Sequence, residues 1–328
     1  MNKSREDEGG LPQAGGITIK FTVPGEVIEW YKIFGQWQTV VPTIYFLDIN
    51  VASLTKKTAG DFENSPKKRV ILERMRELDK PHNCFSYMLG LMEKISDSRG
   101  KNTCDGLRAN IIGDLLALRS FFQYARIAES DELALEMLEV LREQPIELDR
   151  SNYLKFMRFV NNELSMRNKV GAELRLDTAG AVVDAAITAG VQKKHPVVLL
   201  VLACIYGNKF ARSIFKFKEN PEKFDAENAL ADIMLISRVA ELASMVIASG
   251  SEGGAYVTYD FLTGDDGLPN VLACFKLLGF RVNENEDEAG IEYKFDVDLI
   301  RLWPESARRD REKIIALLNK ESDDTSTA

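Results

Sequence analysis

The sequence predicts an α/β fold whose core is a mostly parallel central sheet flanked by helices. Two short apolar segments rich in β-branched and aromatic residues, 40–47 and 256–259, are each followed directly by an aspartate. Between them, apolar residues recur at three- and four-residue steps, as in amphipathic helices. A third strand-like segment, residues 292–297, follows the second aspartate. This order of strands and helices fits an α/β domain better than an all-α bundle.

The amino-terminal part of the chain supplies the first half of this order. Residues 1–16 are polar, glycine-rich and charged, and we expect a disordered leader there rather than a signal peptide, because an apolar core is lacking. Residues 17–96 are predicted to form the first part of the core. They contain the run VVPTIYFL at 40–47, typical of a buried strand, and helical patterns at 67–78 and 84–95.

The remainder of the chain begins with a long helical stretch. Residues 97–193 show helical periodicity almost without interruption and are predicted to be a large all-helical insertion. Residues 194–320 are predicted to be the second part of the core, with helices at 195–216 and 225–249 before the strand that ends at Asp260. A short helix over 269–278, a strand and a last helix complete it. The polar residues 321–328 are expected to be a loose tail.

Composition excludes several classes of protein. A net charge of −8 and a pI near 5.2 argue against a non-specific nucleic-acid coat, which binds through Lys and Arg. Four cysteines without CxxC spacing favour a reducing, cytoplasmic location and argue against a zinc site or a disulfide scaffold. The most apolar segments, 197–206 and 234–248, are too short or too charged to span a bilayer, so no membrane association is expected.

Two aspartates stand at predicted carboxyl ends of strands. They are Asp48, after YFL, and Asp260, after YVTY. In open α/β sheets, ligands bind beyond the carboxyl ends of the strands. Either residue alone fits an ordinary strand-to-loop turn, which also favours aspartate. Their matching contexts favour a functional pair.

Two further acids interrupt apolar helical patterns. Glu93 is the single acid in residues 84–95, and Asp232 interrupts the run ALADIMLI. An unpaired charge in such a setting costs several kcal/mol, and this cost is removed if the acids meet across a cation. Asn228 lies one helical turn before Asp232 on the same face, where it is placed to orient that carboxylate.

This succession of acids resembles the PIN-like nuclease family. In that family a first strand ends in Asp, and a Glu follows on a helix. A third Asp then lies on a later helix, often as Asn-x-x-x-Asp, and a strand closes on Thr-x-Asp. The matching segments are Leu47-Asp48-Ile49-Asn50, Met92-Glu93, Asn228 to Asp232, and Val257-Thr258-Tyr259-Asp260. The resemblance covers residues 40–96 and 194–281, about half of the chain, and the long helical block between them departs from it.

The resemblance implies a hydrolase of phosphodiester bonds, with RNA favoured over DNA as substrate. One or two Mg²⁺ or Mn²⁺ ions would be held by Asp48, Glu93, Asp232 and Asp260, since carboxylates suit hard cations. Such ions activate a water molecule for in-line attack on phosphorus. Asp265 is close enough in sequence to join these ligands, although GDDG is also a good turn. Three polar residues are predicted to orient the ligands: Asn50, Asn228 and Thr258.

Each helical acid also has a structural interpretation. Asp232 would pair with Arg238 or Arg212, as buried acids commonly do. Glu93 would lie on a solvated helix edge beside Lys94. Two acids on the preceding predicted helix are alternatives to Glu93 as the second acid of the family pattern: Glu73 and Glu77.

Four basic residues form the candidate substrate-binding surface: Lys209, Arg212, Lys216 and Lys218. The first three share a face of the predicted helix, interleaved with phenylalanines. This arrangement is able to hold a phosphate backbone and to stack a base. The alternative is a solvated helix end whose phenylalanines belong to the core.

Two hypotheses follow. The first is a cytoplasmic, Mg²⁺- or Mn²⁺-dependent nuclease whose helical block shapes substrate access or binds a regulatory protein. By analogy, this is an accessory nuclease of a prokaryotic toxin or defence system. The second is a non-catalytic interaction or scaffold protein with a degenerate PIN-like core. Convergence of the four carboxylates distinguishes the two, and the sequence leaves the oligomeric state open.

Overall fold

A computed structural model describes residues 40–62, 65–96, 103–143, 149–164, 166–283 and 290–320. Within these ranges, the residues from Pro42 onward form one compact unit. The expected leader, residues 1–16, and the expected tail, residues 321–328, lie outside the described residues. Over the described ranges, no helix has both the length and the apolar character needed to cross a bilayer.

The central element is a four-stranded, all-parallel sheet. Its strands are β1 (Thr43–Leu47), β2 (Cys84–Ser86), β3 (Arg126–Ile127) and β4 (Thr258–Leu262), in the order β3-β2-β1-β4. The predicted α/β class with a parallel sheet is therefore confirmed. The register pairs Leu47 of β1 with Leu262 of β4, so these two strands end level with each other.

Strand β1 is buried on both faces, which explains why its sequence is a continuous apolar run. Phe46 packs into the larger hydrophobic core on one face of the sheet. Tyr45 and Leu47 point to the other face and pack into a second core with Phe85. The sheet thus lies between two helical layers.

The helices were expected from apolar periodicity, and most of them lie where it predicts them. Their bounds are α1 (Ile49–Ala52), α2 (Pro66–Glu77), α3 (Met88–Ser96), α4 (Cys104–Phe121), α5 (Asp131–Glu143), α6 (Arg150–Asn162), α7 (Arg175–Thr188), α8 (Pro196–Ile205), α9 (Lys209–Phe215), α10 (Ala226–Ser251), α11 (Gly267–Leu272), α12 (Leu299–Leu302) and α13 (Arg308–Asn319).

Two strands of the sheet lie in segments predicted to be helical. Residues 84–86 form β2 before α3 begins, and β3 lies inside the stretch predicted to be all-helical, residues 97–193. The prediction that this stretch is all-helical is therefore wrong. Its helices also divide between the layers, with α4 and α5 in the second core and α6 and α7 in the larger one. Strands of two or three residues are too short to show a two-residue period.

The segment predicted as one helix over residues 195–216 is two helices. Helix α8 ends at Ile205, and Gly207 adopts φ +81°, which glycine reaches without steric cost. Asn208 then caps α9 by accepting hydrogen bonds from the amides of Phe210 and Ala211, both at 3.0 Å. His195 caps α8 in the same way through Nδ1, which accepts from the amide of Val197 at 3.2 Å.

A separate antiparallel hairpin follows the sheet. It consists of β5 (Phe275–Asn283) and β6 (Gly290–Val297). The strand predicted at 292–297 is confirmed. The helix predicted over 269–278 ends at Leu272, because residues 275–278 belong to β5.

Candidate functional site

Asp48 lies directly beyond the carboxyl end of β1, as its position after YFL predicts. Its side chain is 6% exposed and caps α1 by accepting from the amide of Asn50 at 2.9 Å. The Asn50 side-chain amide also donates to it, at 3.3 Å. The other carboxylate oxygen accepts a 2.6 Å hydrogen bond from the hydroxyl of Thr263. Both oxygens of Asp48 are thus oriented by neighbouring groups.

Thr263 connects the ends of the two central strands. It follows the last residue of β4, and its hydroxyl accepts a 3.0 Å hydrogen bond from the amide of Asp265 while it donates to Asp48. The Asp265 carboxylate in turn accepts from the amide of Gly267 at 2.6 Å. One hydroxyl therefore fixes the loop that carries Asp265 relative to Asp48.

Asp232 approaches this pair from α10. Burial raises the pKa of its carboxyl group to about 7, the charge of Lys216 opposes that rise, and the charges of Asp265, Asp48 and Asp225 add to it. The side-chain amide of Asn228 donates to its carboxylate at 3.3 Å, as the shared helical face predicts. Asp48, Asp232 and Asp265 therefore interact through their charges, and Thr263 joins the first and the third beyond the carboxyl ends of β1 and β4. We call them the aspartate group.

Asp260 lies elsewhere. The prediction that its strand ends there is wrong, since β4 continues to Leu262 and Asp260 pairs in register with Tyr45. Its side chain is exposed and accepts a hydrogen bond from the amide of Phe261 at 2.8 Å. Its partner in β1, Tyr45, lies three residues before Asp48. That offset is roughly 10 Å along a strand. Thr258 pairs with Thr43 at the amino end of the sheet, still further from Asp48.

Thr-x-Asp occurs twice in this region. The sequence match used Thr258-Tyr259-Asp260, whereas Thr263-Gly264-Asp265 carries the same pattern beyond the end of β4. The second copy is the one whose threonine and aspartate make the contacts just described. This second pattern is visible in the sequence, but the apolar run stops at Asp260 and therefore predicts that the strand ends there. The strand instead continues through the exposed Asp260 to Leu262.

The charge of Glu93, on α3, acts on a second polar network. The Tyr87 hydroxyl donates to Asp114, which also forms ion pairs with Lys56 and Lys94. Burial, the bond to Asp114 and the charges of Asp114 and Glu93 raise the pKa of Tyr87. Lys94, the neighbour expected to balance Glu93, is thus engaged by Asp114.

Two buried acids of this second region were missed in the sequence. Asp114 interrupts an apolar pattern on α4 and would have been found by the criterion that selected Asp232. Glu129 follows β3, a strand too short to predict, and is 3% exposed. It accepts from the Ser86 hydroxyl at 2.5 Å and from the Tyr87 amide at 2.8 Å. Its burial raises its pKa. Glu129 therefore fixes the turn from which α3 begins.

The four basic residues of the candidate surface have different roles. The Arg212 guanidinium donates to the backbone carbonyls of Cys204 at 3.2 Å and Met166 at 2.9 Å, and also to those of Arg167 and Asn168. Arg212 is therefore engaged by the backbone, so the predicted basic face shared by Lys209, Arg212 and Lys216 is interrupted. The Lys209 ammonium lies 5.0 Å from the centre of the Phe210 ring. Lys216 and Lys218 are both exposed, and the charge of Lys216 is one of those that act on Asp232.

The phenylalanines of this region belong to the core. Phe215 is 1% exposed, and its ring stacks on Phe217 at 4.9 Å between centroids, with Phe224 beyond at 5.9 Å from Phe217. The alternative in which these rings are core residues is therefore confirmed for Phe215. Base stacking on this ring would require its removal from the hydrophobic core.

The spacing of the acids is wider than that of a closed metal site. Across the described ranges, no three or more His, Cys, Asp or Glu side chains are arranged closely enough to hold a metal ion as they stand. The four cysteines are free thiols, and three of them are buried. Comparisons with protein-family models, with curated proteins and with solved structures found no match to this chain.

Proposed function

We propose that this chain is a divalent-cation-dependent nuclease, with RNA favoured over DNA, whose ligands are Asp48, Asp232 and Asp265. The observation that supports the proposal is that Thr263 joins Asp48 and Asp265 beyond the carboxyl ends of β1 and β4, while the charges of both aspartates act on Asp232 of α10. This edge is where open α/β sheets bind ligands. The negative charges of Asp48 and Asp265 disfavour ionisation of Asp232, and a bound cation would remove that repulsion.

The donor set suits a hard cation in its chemistry. Carboxylate oxygens, the Asn228 side chain and water are ligands that Mg²⁺ and Mn²⁺ accept. A bound ion of this type supplies a nucleophilic hydroxide and neutralises charge on the leaving oxygen. In the described part of the chain these carboxylates are not spaced to hold one ion, so the proposal requires them to move closer together when the cation binds.

The resemblance to the PIN-like family supports this assignment in a modified form. The fourth acid of the family pattern is moved from Asp260 to Asp265, since Thr263 and Asp265 complete Thr-x-Asp at the end of the strand. Thr263 and Asn50 orient Asp48, and Asn228 orients Asp232. Glu93 is left out of the proposed ligand set, because its charge acts on Tyr87 in the Tyr87–Asp114 network.

The test is cleavage of labelled single-stranded RNA and DNA with Mn²⁺. Wild type is compared with Asp48→Asn and Asp265→Asn, and Asp260→Asn is the matched control. We expect metal-dependent cleavage of RNA that falls at least about 100-fold in the first two variants, because such ligands act directly on the transition state. The control should retain at least half of the activity. Loss of activity in Asp260→Asn with an active Asp265→Asn would reverse the assignment.

The scaffold hypothesis is favoured by one observation, the absence of a metal-holding group among the described residues. It predicts that no substrate is cut and that Mn²⁺ leaves the melting temperature unchanged. A cation at 100 times its Kd would instead stabilise the fold by about 2.7 kcal/mol. A thermal melt with and without Mn²⁺ therefore separates the two functions before any substrate is known.

A further inference from the structure

Both edges of the parallel sheet are protected against the addition of another strand. An edge strand presents unpaired N–H and C=O groups, and proteins keep such edges short, bulged, charged or covered. On one side the sheet ends in β3, which has only two residues. On the other side, the Leu262 carbonyl of β4 accepts from a β1-side amide, so the neighbouring Phe261 amide points outward. The Asp260 carboxylate accepts from that amide at 2.8 Å and so occupies it.

Strand β5 of the separate hairpin is protected in a different way. Its register with β6 shifts between Leu277 and Gly279, so Leu278 is an extra residue, a β-bulge that bends the strand and disrupts regular pairing. The charged side chains of β5 are Lys276 and Arg281, both positive, so two copies of this edge would repel each other. Helix α10 also packs against β5.

Strand β6 lacks these protections. It has eight residues, Gly290–Val297, and it is unbroken because the extra residue of the bulge lies in β5. Over residues 291–297 no side chain is buried, and the backbone hydrogen-bonds only to β5. In an antiparallel pair, every second residue directs its N–H and C=O away from the partner strand. The outer edge of β6 therefore presents a row of backbone groups to which a further strand can bind.

The side chains of β6 are complementary to those of a second copy of the strand. Three exposed side chains on one face alternate in sign along it: Glu292, Lys294 and Asp296. In an antiparallel pair, residues directly opposite each other lie on the same face and interact. A twofold axis at Tyr293 sets Glu292 of each copy opposite Lys294 of the other. It also sets Ile291, which is 44% exposed, opposite the partner's Phe295, and aromatic side chains pair well with β-branched ones.

Other registers of the same pairing are less favourable. A twofold axis at Lys294 sets this lysine opposite its own copy and Glu292 opposite Asp296, and like charges directly opposite each other destabilise a strand pair. The next centre along the strand is favourable for Lys294, but it sets Glu292 opposite Asp298 and shortens the overlap. The charges thus select the register centred on Tyr293.

We propose that β6 pairs with β6 of a second copy of this chain, antiparallel and about a twofold axis at Tyr293, so that two hairpins form one four-stranded sheet. The partner is a second copy because the charge pattern of the strand is its own complement. The pairing uses the one unprotected edge among the described strands, so the assembly closes as a dimer and does not continue as a fibre. This dimer does not depend on the proposed function.

The experiment is sedimentation equilibrium of the full chain, compared with Lys294→Glu and with Lys223→Glu as the matched control. Wild type should approach twice the chain mass of 36.8 kDa at concentrations above about 10 µM, as expected for a small interface. Lys294→Glu makes both facing pairs repulsive and should raise the dissociation constant at least about 10-fold. Within its own hairpin Lys294 faces Gly279, so this variant meets no opposing charge there. Lys223→Glu, the same charge change outside the hairpin, should alter the constant less than about twofold.

A second variant tests the register. Glu292→Lys by itself should also weaken the dimer, and an equimolar mixture with Lys294→Glu should restore it, because every facing pair is again of opposite sign. A wild type that stays monomeric at about 100 µM overturns the proposal, since even a weak specific interface associates there. So does a dimer that Lys294→Glu weakens no more than Lys223→Glu does. A mixture that stays monomeric, although both variants melt like wild type, also overturns it.

Discussion

The hydroxyl of Thr263 gives the sharpest prediction about the construction of the site. It donates to the Asp48 carboxylate at 2.6 Å and accepts from the Asp265 amide at 3.0 Å. Thr263→Val has nearly the same shape but can do neither. Asp48 is 6% exposed, so water has little access to replace the lost donor. A hydrogen bond to a charged group is worth about 1.5–3 kcal/mol, and we expect the free energy of unfolding to fall by about 2–3 kcal/mol.

Thr263→Ser is the matched control because it retains the hydroxyl and loses one methyl group. A fully buried methylene is worth about 0.8 kcal/mol, and Thr263 is only partly buried, so the loss should stay under about 0.8 kcal/mol. Urea unfolding followed by circular dichroism measures both variants. Combining Thr263→Val with Asp48→Asn should recover about 1–2 kcal/mol of coupling, because the two changes remove one shared interaction. Equal losses in the valine and serine variants would refute the reasoning.

The other predictions concern single charged or titratable groups. Asp232 has a folded pKa of about 7, above its value of 3.8 in the unfolded chain, so stability is lost as pH rises from 3.8 to about 7. Without divalent cation, Asp232→Asn should raise the free energy of unfolding by about 1–2 kcal/mol at pH 8. The pKa shift alone corresponds to roughly 4 kcal/mol, but the site is partly hydrated, so the gain should be smaller. Urea unfolding should show a smaller gain in stability at pH 5 than at pH 8. Burial lowers the pKa of His195 from 6.5 to about 4, so the folded state holds fewer protons and stability is lost as pH falls from 6.5 to 4. His195→Asn keeps a helix-capping side chain but removes the titrating imidazole, so it should remove up to about 3 kcal/mol of that pH dependence. An unchanged slope of melting temperature against pH would contradict this explanation. Arg212→Lys should lower the free energy of unfolding by about 2–4 kcal/mol, because an ammonium cannot reach four carbonyls at once. Lys209→Ala is the control and should cost under about 0.5 kcal/mol in the same chemical denaturation. Asp79 accepts three backbone amides of residues 123–125, and although its partial burial opposes the effect, these bonds lower its pKa. Asp79→Asn should destabilise by about 1–2 kcal/mol at pH 7 and by progressively less as pH falls below 3.8 through the lowered pKa of the folded state. A difference independent of pH would count against these bonds.

The sequence was a good guide to the α/β class, because long periodic helices and fully apolar strands carry strong local signals. β1 and most of the helices lie where these patterns predict them. It was a poor guide to β2 and β3, with three and two residues, which show no periodicity of their own. Those strands form only because β1 presents a free edge and each strand then pairs with its neighbour.

The candidate site divides in the same way. Asp48 and Asp232 were selected by local criteria, a strand end and an acid in an apolar helix, and in the fold the charge of Asp48 acts on Asp232. The choice between Asp260 and Asp265 depends on where β4 ends, and the pairing with β1 sets that end at Leu262. Local sequence contains no information about that register.

By itself, the sequence determined which segments are apolar enough to be buried and which acids stand out against them, because both properties belong to single residues and their near neighbours. The tertiary structure alone decided which of those acids meet. It joined Thr263 to Asp48 across 215 positions of the chain and committed Arg212 to carbonyls 44–46 residues away. Such contacts are fixed by the pairing of β4 with β1 and by the packing of the helices, and strand register and helix packing depend on the whole chain at once.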